Sequence, residues 1–357
     1  MKDKGKTVVV AMSGGVDSSI AAYMMKKNNY NVIGITLKTW DYKNLEVEKI
    51  SCCSTESISR AQKVAEQLGI KHYIFDFSEA FNNTVINNFI SEYLAGRTPN
   101  PCVICNKYIK WGLLLDKVKS LGADFLVTGH YAGIKKLENN RLTVSLSKDK
   151  LKDQSYFLWV LSQEALSKSI FPLGDFTKVE IRKIAKDLNL KSAKIPDSQE
   201  ICFIPDNDYP KFLISKIGDK ISEGDIVYKD KLVGRHKGYP FYTIGQRRGL
   251  NLSLGKPVYV RKIDSKNNII YVDDEKNLYT KEFLVNSINF LSVNTLNSTC
   301  EVLVKVRYKD VGTPALIEQI GEDEIKVILK TPKKSVTPGQ SAVFYIDDYL
   351  LCGGFIV

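Results

Sequence analysis

The chain has 357 residues, 44% hydrophobic and 25% charged, with a formal net charge of +11 at pH 7. It is too long for one small core, its composition is that of a globular protein, and no apolar run approaches the roughly 20 residues of a membrane span. The basic excess favours a polyanionic partner. Residues 1–6 enter a short strand and lack the apolar core of a signal peptide, which predicts a cytoplasmic protein. There, seven cysteines read as reactive or metal-binding thiols rather than as a disulfide frame.

The apolar, β-branched run from Thr7 to Met12 predicts a strand. It is followed by Ser13-Gly14-Gly15-Val16-Asp17-Ser18 and then by a helical stretch from Ser19 to Met25. A strand, a glycine turn and a helix start build an anion site. Glycines let backbone N–H groups approach an oxyanion, and the helix N-terminus adds free donors and a positive dipole end. Ser13 and Ser18 are candidate hydroxyl donors. Neither a Walker lysine nor the dinucleotide pattern G-x-G-x-x-G is present.

Strands are predicted at Asn31 to Trp40, Lys71 to Phe77 and Asp124 to Thr128. Helices are predicted at Glu56 to Leu68, Phe81 to Ala95 and Lys107 to Leu121, each ended by a glycine. This alternation predicts an α/β domain with a mainly parallel sheet, whose ligands sit beyond the carboxyl ends of the strands. The glycine loop, the residues after Leu37 and Gly129-His130 all fall on that edge. Asn139-Asn140 reads as a hairpin turn, and residues 153–190 read as mostly helical. Beyond Pro205 short alternating strands dominate, with a turn at 264–268, and the tail from Ser287 has β-hairpin rhythm without a useful helix. The predicted domains are residues 1–205, a small central β-containing domain at 206–284, and a β-barrel-like domain at 285–357.

Residues 97–106, Arg97-Thr98-Pro99-Asn100-Pro101-Cys102-Val103-Ile104-Cys105-Asn106, read as a stiff loop between two helices. Cys105 would precede a helix starting near Lys107, where the helix end, Lys107 and Lys110 would favour thiolate. Cys202 lies in a polar, proline-flanked segment, Asp197 to Phe203, that reads as a mobile loop. On spacing alone C-x-x-C is half a zinc site, a redox pair or two cluster ligands. Cys300 and Cys352 read as buried apolar cysteines in strands, and Cys52-Cys53 as a structural or incidental pair.

Six further motifs occur in the same chain as the glycine loop. They are Pro99-Asn100-Pro101-x-x-x-Cys105-Asn106, Thr128-Gly129-His130-Tyr131, Lys152-Asp153-Gln154-Ser155-Tyr156, Ser198-Gln199-Glu200-Ile201-Cys202-Phe203, the run 242–249 (Tyr242 to Gly249) and Pro338-Gly339-Gln340. The loop itself resembles the PP-loop of ATP pyrophosphatases, and the set as a whole closely resembles the tRNA-specific 2-thiouridylases over nearly the whole chain. The resemblance implies ATP- and Mg2+-dependent adenylation of the C2 oxygen of a wobble uridine, then replacement of AMP by sulfur. It implies ATP contacts from Ala11, Met12, Ser13, Gly14, Gly15, Val16, Asp17, Ser18, Leu37 and Gly129, with Asp17 on magnesium or phosphate. Asn100, Pro101 and Cys102 would meet the target base, which must be flipped out of its stack to be reached. Cys202 would carry a persulfide and Cys105 would close on it as a disulfide. His130, Lys152, Asp153, Gln154, Arg307, Tyr308 and Gln340 would contact tRNA. The implied partners are tRNAs with lysine-, glutamate- and glutamine-type anticodons and a cysteine desulfurase or other sulfur donor protein, on a monomeric enzyme.

Many relatives carry Asp where this chain has Cys102. A second route follows from that change: Cys102, Cys105 and Cys202 as three ligands of a 4Fe–4S cluster that delivers sulfide. Two readings compete with thiolation. A PP-loop synthetase adenylating a different acceptor would not need the cysteine pair, and an RNA- or nucleotide-binding protein would release no AMP.

Overall fold

The computed structural model describes residues 5–40, 55–196, 201–204 and 206–357. The Cys52-Cys53 pair, Ser198-Gln199-Glu200 and Pro205 lie outside the described residues. The chain packs as two compact units. One comprises Met1–Ile86, Cys102–Asn207 and Asp347–Leu351; the other comprises Asn87–Pro101, Asp208–Ile346 and Cys352–Val357.

The first unit is built on a five-stranded sheet. Its strands are β1 (Thr7–Ala11), β2 (Asn31–Lys38), β3 (Lys71–Asp76), β4 (Phe125–Val127) and β7 (Ser169–Ile170), in the order β3-β2-β1-β4-β7. Every pairing is parallel. Chain order runs outward from β1 to β3 on one side and resumes at β4 on the other. The direction therefore reverses between β1 and β4, which places a crevice at their carboxyl ends. Val8, Val9 and Val10 of β1 are fully buried, as expected of a central parallel strand covered on both faces. Helices α1 (Val16–Lys27) and α2 (Thr55–Leu68) supply Ile20, Ala21, Val64 and Ala65 to the core. Each fully buried large aliphatic side chain contributes about 1.5–3 kcal/mol. A hairpin of β5 (Gly133–Lys136) and β6 (Leu142–Ser145) turns at Asn140, whose φ is 65°, as the Asn-Asn pair predicts.

In the second unit β8 (Gly224–Tyr228), β9 (Lys231–His236), β10 (Tyr259–Asp264) and β11 (Ile269–Asp273) form a sheet in the order β10-β11-β8-β9. Its core holds Ile226, Tyr242, Val260 and Ile270. The remaining strands are β12 (Tyr279–Phe290), β13 (Cys300–Lys305), β14 (Thr313–Gly321), β15 (Glu324–Lys334), β16 (Ser341–Ile346) and β17 (Tyr349–Ile356). They follow the order β12-β15-β14-β13-β16-β17, and pairing of β12 with β17 closes the barrel. Closure leaves the ring without an edge strand.

Three local expectations change. The 153–190 stretch is not mostly helical. It holds a short 3-10 turn at Ser155–Phe157, a helix at Gln163–Ser167, strand β7 and a helix at Lys178–Asp187. Tyr156, Leu158, Trp159 and Leu161 are all buried, and a crowded apolar run does not distinguish helix from strand by period. A helix at Tyr209–Ile217 stands where only strands were predicted. It is signalled by Asp208, whose carboxylate accepts the Lys211 N–H at 2.9 Å, and by Pro210 in the first turn. The 97–106 segment is not a loop throughout. Helix begins at Pro101 and continues through a π-helical stretch at Cys105–Leu114 and on to Ser120. Pro101 opens the helix because proline lacks only an N–H that a first-turn residue does not need.

Candidate active site

The turn after β1 is a backbone cradle. Met12 N–H extends the β1–β2 ladder to the Ile35 carbonyl at 2.8 Å. Gly14 then takes φ 73° with the Ser57 carbonyl packed where a Cβ would stand, so no side chain fits. Gly15 caps α1 with extended backbone and no side-chain cap. The Ser18 hydroxyl turns inward, donating to the Gly15 carbonyl at 3.2 Å and accepting the Ser13 N–H at 3.1 Å. It braces the turn rather than pointing outward. Ser13 is exposed, with its hydroxyl 3.3 Å from that of Ser18. Gly129, just beyond β4, lies against the first turn of α1: a Cβ there would stand 2.8 Å from Ser18 N and 2.9 Å from the Asp17 carbonyl carbon. The cradle thus sits where the strand order reverses, with first-turn amides and a positive dipole end facing the crevice.

Asp17 is the carboxylate of this turn. Tyr131 donates its hydroxyl to Asp17 Oδ1 at 2.8 Å, and Lys178 Nζ lies 2.8 Å from both carboxylate oxygens. The Lys178 side chain is 9% exposed and that of Asp17 33%. Gln154 holds Tyr131 from the far side: its Oε1 accepts the Tyr131 N–H at 3.0 Å, and its N–H donates to the Tyr131 carbonyl at 2.8 Å. Lys178 was missed by sequence reading. It lies 161 residues from Asp17 and opens a helix whose visible signal, the Thr177/Glu180 capping box, says nothing about phosphate.

Cys102 and Cys105 lie on the helix that opens at Pro101, three residues apart and so neighbours on one face, at about 5–6 Å between Cβ atoms. Cys102 is exposed, yet the protein packed around its sulfur raises the thiol pKa, with the Lys110 ammonium pulling it down more weakly. Asn106 fixes this helix by donating from Nδ2 to the Phe157 carbonyl at 2.9 Å, and its Oδ1 is buried without a partner among the described residues. Cys202 is partly exposed, next to Phe203 and Ile204, which are 1% and 2% exposed. Phe203 packs edge-on to Phe81 at 5.7 Å, so this end of the predicted mobile loop is anchored. Among the described residues no three His, Cys, Asp or Glu side chains converge as a metal site, and Cys102, Cys105 and Cys202 are not gathered as cluster ligands. Cys352 is buried as predicted, whereas Cys300 is partly exposed.

His130 hydrogen-bonds the Thr128 hydroxyl at 2.7 Å and packs against Trp111 and Phe171 at 5.6 and 6.1 Å. Burial, assisted by Lys110, holds its pKa well below the ordinary value, so the ring is a neutral donor or acceptor and not a cation for phosphate. Lys152 is partly exposed and Leu37 pairs with Phe75 in the β2–β3 ladder. Asp153 is 7% exposed and accepts from the Ser147 N–H and the Ser155 hydroxyl; it shapes its loop rather than presenting charge.

In the second unit Arg307 is exposed, with its guanidinium donating to the Lys334 and Ser335 carbonyls at 3.1 and 2.8 Å, and Tyr308 is partly exposed. The Gln340 amide donates to the Thr98 and Pro99 carbonyls at 3.1 and 2.9 Å. Gln340 therefore holds the strand of chain leading to Asn100, itself 7% exposed, and to Pro101.

The chain matches the tRNA methyl transferase HUP domain over residues 6–206, the tRNA methyl transferase PRC-barrel domain over 210–274 and the aminomethyltransferase beta-barrel domain over 280–356. It is 44% identical to the tRNA-specific 2-thiouridylase MnmA of Carboxydothermus hydrogenoformans, across 98% of this chain and 97% of that one. It is 46% identical to the tRNA-specific 2-thiouridylase MnmA of Salinibacter ruber, across 100% and 95%. A solved 4-thiouridine synthetase–RNA complex with bound ATP is 16% identical with a TM-score of 0.36, over 60% of this chain and 51% of that one, too distant to carry an argument. Among the described residues no helix is long and apolar enough to cross a membrane. With a parallel-sheet cradle, a closed C-terminal barrel and full-length identity above 40%, this chain belongs to the tRNA-specific 2-thiouridylase family.

Proposed function

We propose that this protein performs ATP-dependent 2-thiolation of the wobble uridine of tRNA. The observation that carries the reading is the amide cradle at the β1–β4 reversal, in a unit that also carries Cys102, Cys105 and Cys202. A uridine C2 carbonyl is a poor electrophile. Attack of its oxygen on the α-phosphorus of ATP releases pyrophosphate and converts that oxygen into part of an AMP leaving group. Preorganised amides at the cradle stabilise the charge that develops on the phosphates. Mg2+ enters with ATP as part of the substrate, and Asp17 is the carboxylate that would meet it.

Sulfur then arrives as a persulfide on Cys202. Its terminal sulfur attacks C2 and AMP departs with the former O2. Cys105 thiolate attacks Cys202 Sγ, which frees the transferred sulfur as 2-thiouridine and leaves a Cys105–Cys202 disulfide. An external dithiol returns both to thiols, and a sulfur donor protein or cysteine desulfurase reloads Cys202. Asn100, Pro101 and Cys102 receive the flipped base, while Lys152, Arg307 and Tyr308 contact tRNA. Lysine-, glutamate- and glutamine-type tRNAs are the substrates, the working form is a cytoplasmic monomer, and the functional domains are residues 1–205, 206–284 and 285–357.

The test is anaerobic turnover on unmodified glutamate-type tRNA with ATP, Mg2+, a dithiol and a sulfane-sulfur donor, a cysteine desulfurase with L-cysteine. Nucleosides are analysed by mass and iron is measured on the same preparation. 2-Thiouridine from iron-free enzyme, with one AMP per product, supports the persulfide route. A strict iron requirement transfers the sulfur step to a cluster. ATP cleavage without thiolated product overturns the choice of acceptor.

A further inference from the structure

We propose that Lys178 is the cation of the phosphate site, shared between Asp17 and the β and γ phosphates of ATP. This rests on the ATP reading above and deepens it. The turn Ser13–Ser18 contains no lysine or arginine. The first basic residues after it, Lys26 and Lys27, stand at the far end of α1. Lys26 lies nine residues beyond Asp17, about 14 Å along the axis at 1.5 Å per residue. A helix terminus contributes only about half a charge, little against the several negative charges of a triphosphate.

The fold supplies the missing cation from a distant segment. Lys178 Nζ reaches both oxygens of Asp17, which lies in the first turn of α1, so the ammonium stands beside the turn's amides. The lysine is held from several directions. Its side chain is nine-tenths buried. Its N–H donates to Asp149 Oδ2 at 2.9 Å, and its ammonium lies 5.8 Å from the Tyr131 ring centroid. It opens a helix whose start is fixed by the Thr177/Glu180 capping box. The backbone is thus pinned while a four-carbon stem leaves the ammonium able to pivot. A buried ion pair is weak evidence for stability as such, because desolvation cancels much of the attraction. Placing one at a phosphate cradle gives it a use: a divalent ion that takes the carboxylate releases an ammonium already desolvated beside the phosphates.

The test separates this role from a structural one by ligand. Calorimetric titration of the full chain uses α,β-methylene ATP with Mg2+, and separately AMP, which lacks the β and γ phosphates. Lys178→Met is expected to weaken the ATP analogue by about 10- to 100-fold, the size of a charge-assisted contact, while AMP affinity stays within about threefold. Lys178→Arg should recover part of the loss. Equal loss of both ligands, or of neither, overturns the proposal. Because Lys178→Met strands the Asp17 charge, Asp17→Asn is also compared with Asp17→Asn/Lys178→Met; the lysine must still discriminate analogue from AMP in that neutral background. Wild-type protein that binds neither ligand refutes the ATP reading itself, and this proposal with it. Wild-type protein that binds both, with no selective loss in the variants, refutes the role of Lys178 alone.

Discussion

The phosphate cradle and the cysteine helix lie in one unit and are built in opposite ways. The cradle is backbone: Gly14 and Gly129, which admit no side chain, the Ser18 hydroxyl turned inward, and a carboxylate held by Tyr131 and Lys178. The cysteines are reached from outside, with Cys102 exposed as a residue and Cys105, on the same helix, and Cys202, on a separate segment, partly exposed. An oxyanion of fixed shape is best met by donors that do not move. A sulfur that must be loaded, transferred and regenerated has to be reached by several partners in turn. The comparison predicts that damage to the cradle acts on nucleotide affinity and stability together, whereas damage to the thiols acts on turnover alone.

The largest effect is expected at the thiols. Cys202→Ser and Cys105→Ser should each lower 2-thiouridine formation by at least about 10³-fold, as loss of a covalent nucleophile does. ATP affinity and melting temperature should stay close to wild type. Cys102→Ala should keep most of kcat, its lost contact with the flipped base appearing in KM for tRNA. If Cys102→Ala is as damaging as the other two, the three thiols act together and the persulfide route loses its support. The assay is tRNA nucleoside mass analysis beside ATP titration of the same variants.

Next comes Gly129→Ala. A methyl group there would meet Ser18 N and the Asp17 carbonyl carbon at under 3 Å, and both are backbone atoms that cannot step aside. The strand and the first turn of α1 must separate, at a cost of about 1–3 kcal/mol. Denaturant unfolding and ATP titration should fall together. Unchanged ATP affinity in a destabilised variant would show that the cradle tolerates the shift and that the close approach serves packing only.

The same contrast explains what the sequence made legible. The cradle and the sheet follow from local signals: a β-branched run, a glycine turn, a helix start and repeated strand–helix alternation. Asp17 was visible in that motif, but its partners were not. Tyr131 and Lys178 reach it from 114 and 161 residues away, and separations of that size are fixed by topology rather than by pattern. The cysteine segment was misread for a local reason. Pro99 and Pro101 both suggested an extended loop, yet Pro101 occupies a first helical turn, where it is favoured. Spacing three apart then puts Cys102 and Cys105 on one face instead of along a strand of loop. Gln340 carried a motif signal whose content changed: its amide is engaged with Thr98 and Pro99, which makes it a brace of the base-binding segment.

That brace gives a smaller effect. Gln340→Ala leaves the Thr98 and Pro99 carbonyls without their donor and should cost about 1–3 kcal/mol. Denaturant unfolding measures this cost. If Gln340 acts only through residues 98–101, KM for tRNA should rise while ATP affinity is unchanged. An unaltered KM would return Gln340 to a purely structural role.

The smallest expected effect is a pH dependence of stability that also tests the neutral reading of His130. Burial holds the His130 ring well below the ordinary histidine pKa, Lys110 adds to this, and burial lowers His72 and His236 as well. A group whose pKa is depressed on folding refuses a proton that the unfolded chain accepts. As the pH falls through about 6.5, the unfolded chain therefore takes up protons first and stability declines. Melting temperature should drop by a few degrees between pH 7.5 and 5.5, above the range where carboxylates titrate. His130→Asn should flatten part of that slope, even if it lowers stability at every pH. Parallel curves for the two proteins would mean that His130 carries a proton in the folded state at pH 5.5. The ring would then be cationic in mildly acid solution, and its hydrogen bond to Thr128 would have to be donated by Nδ1 rather than accepted there.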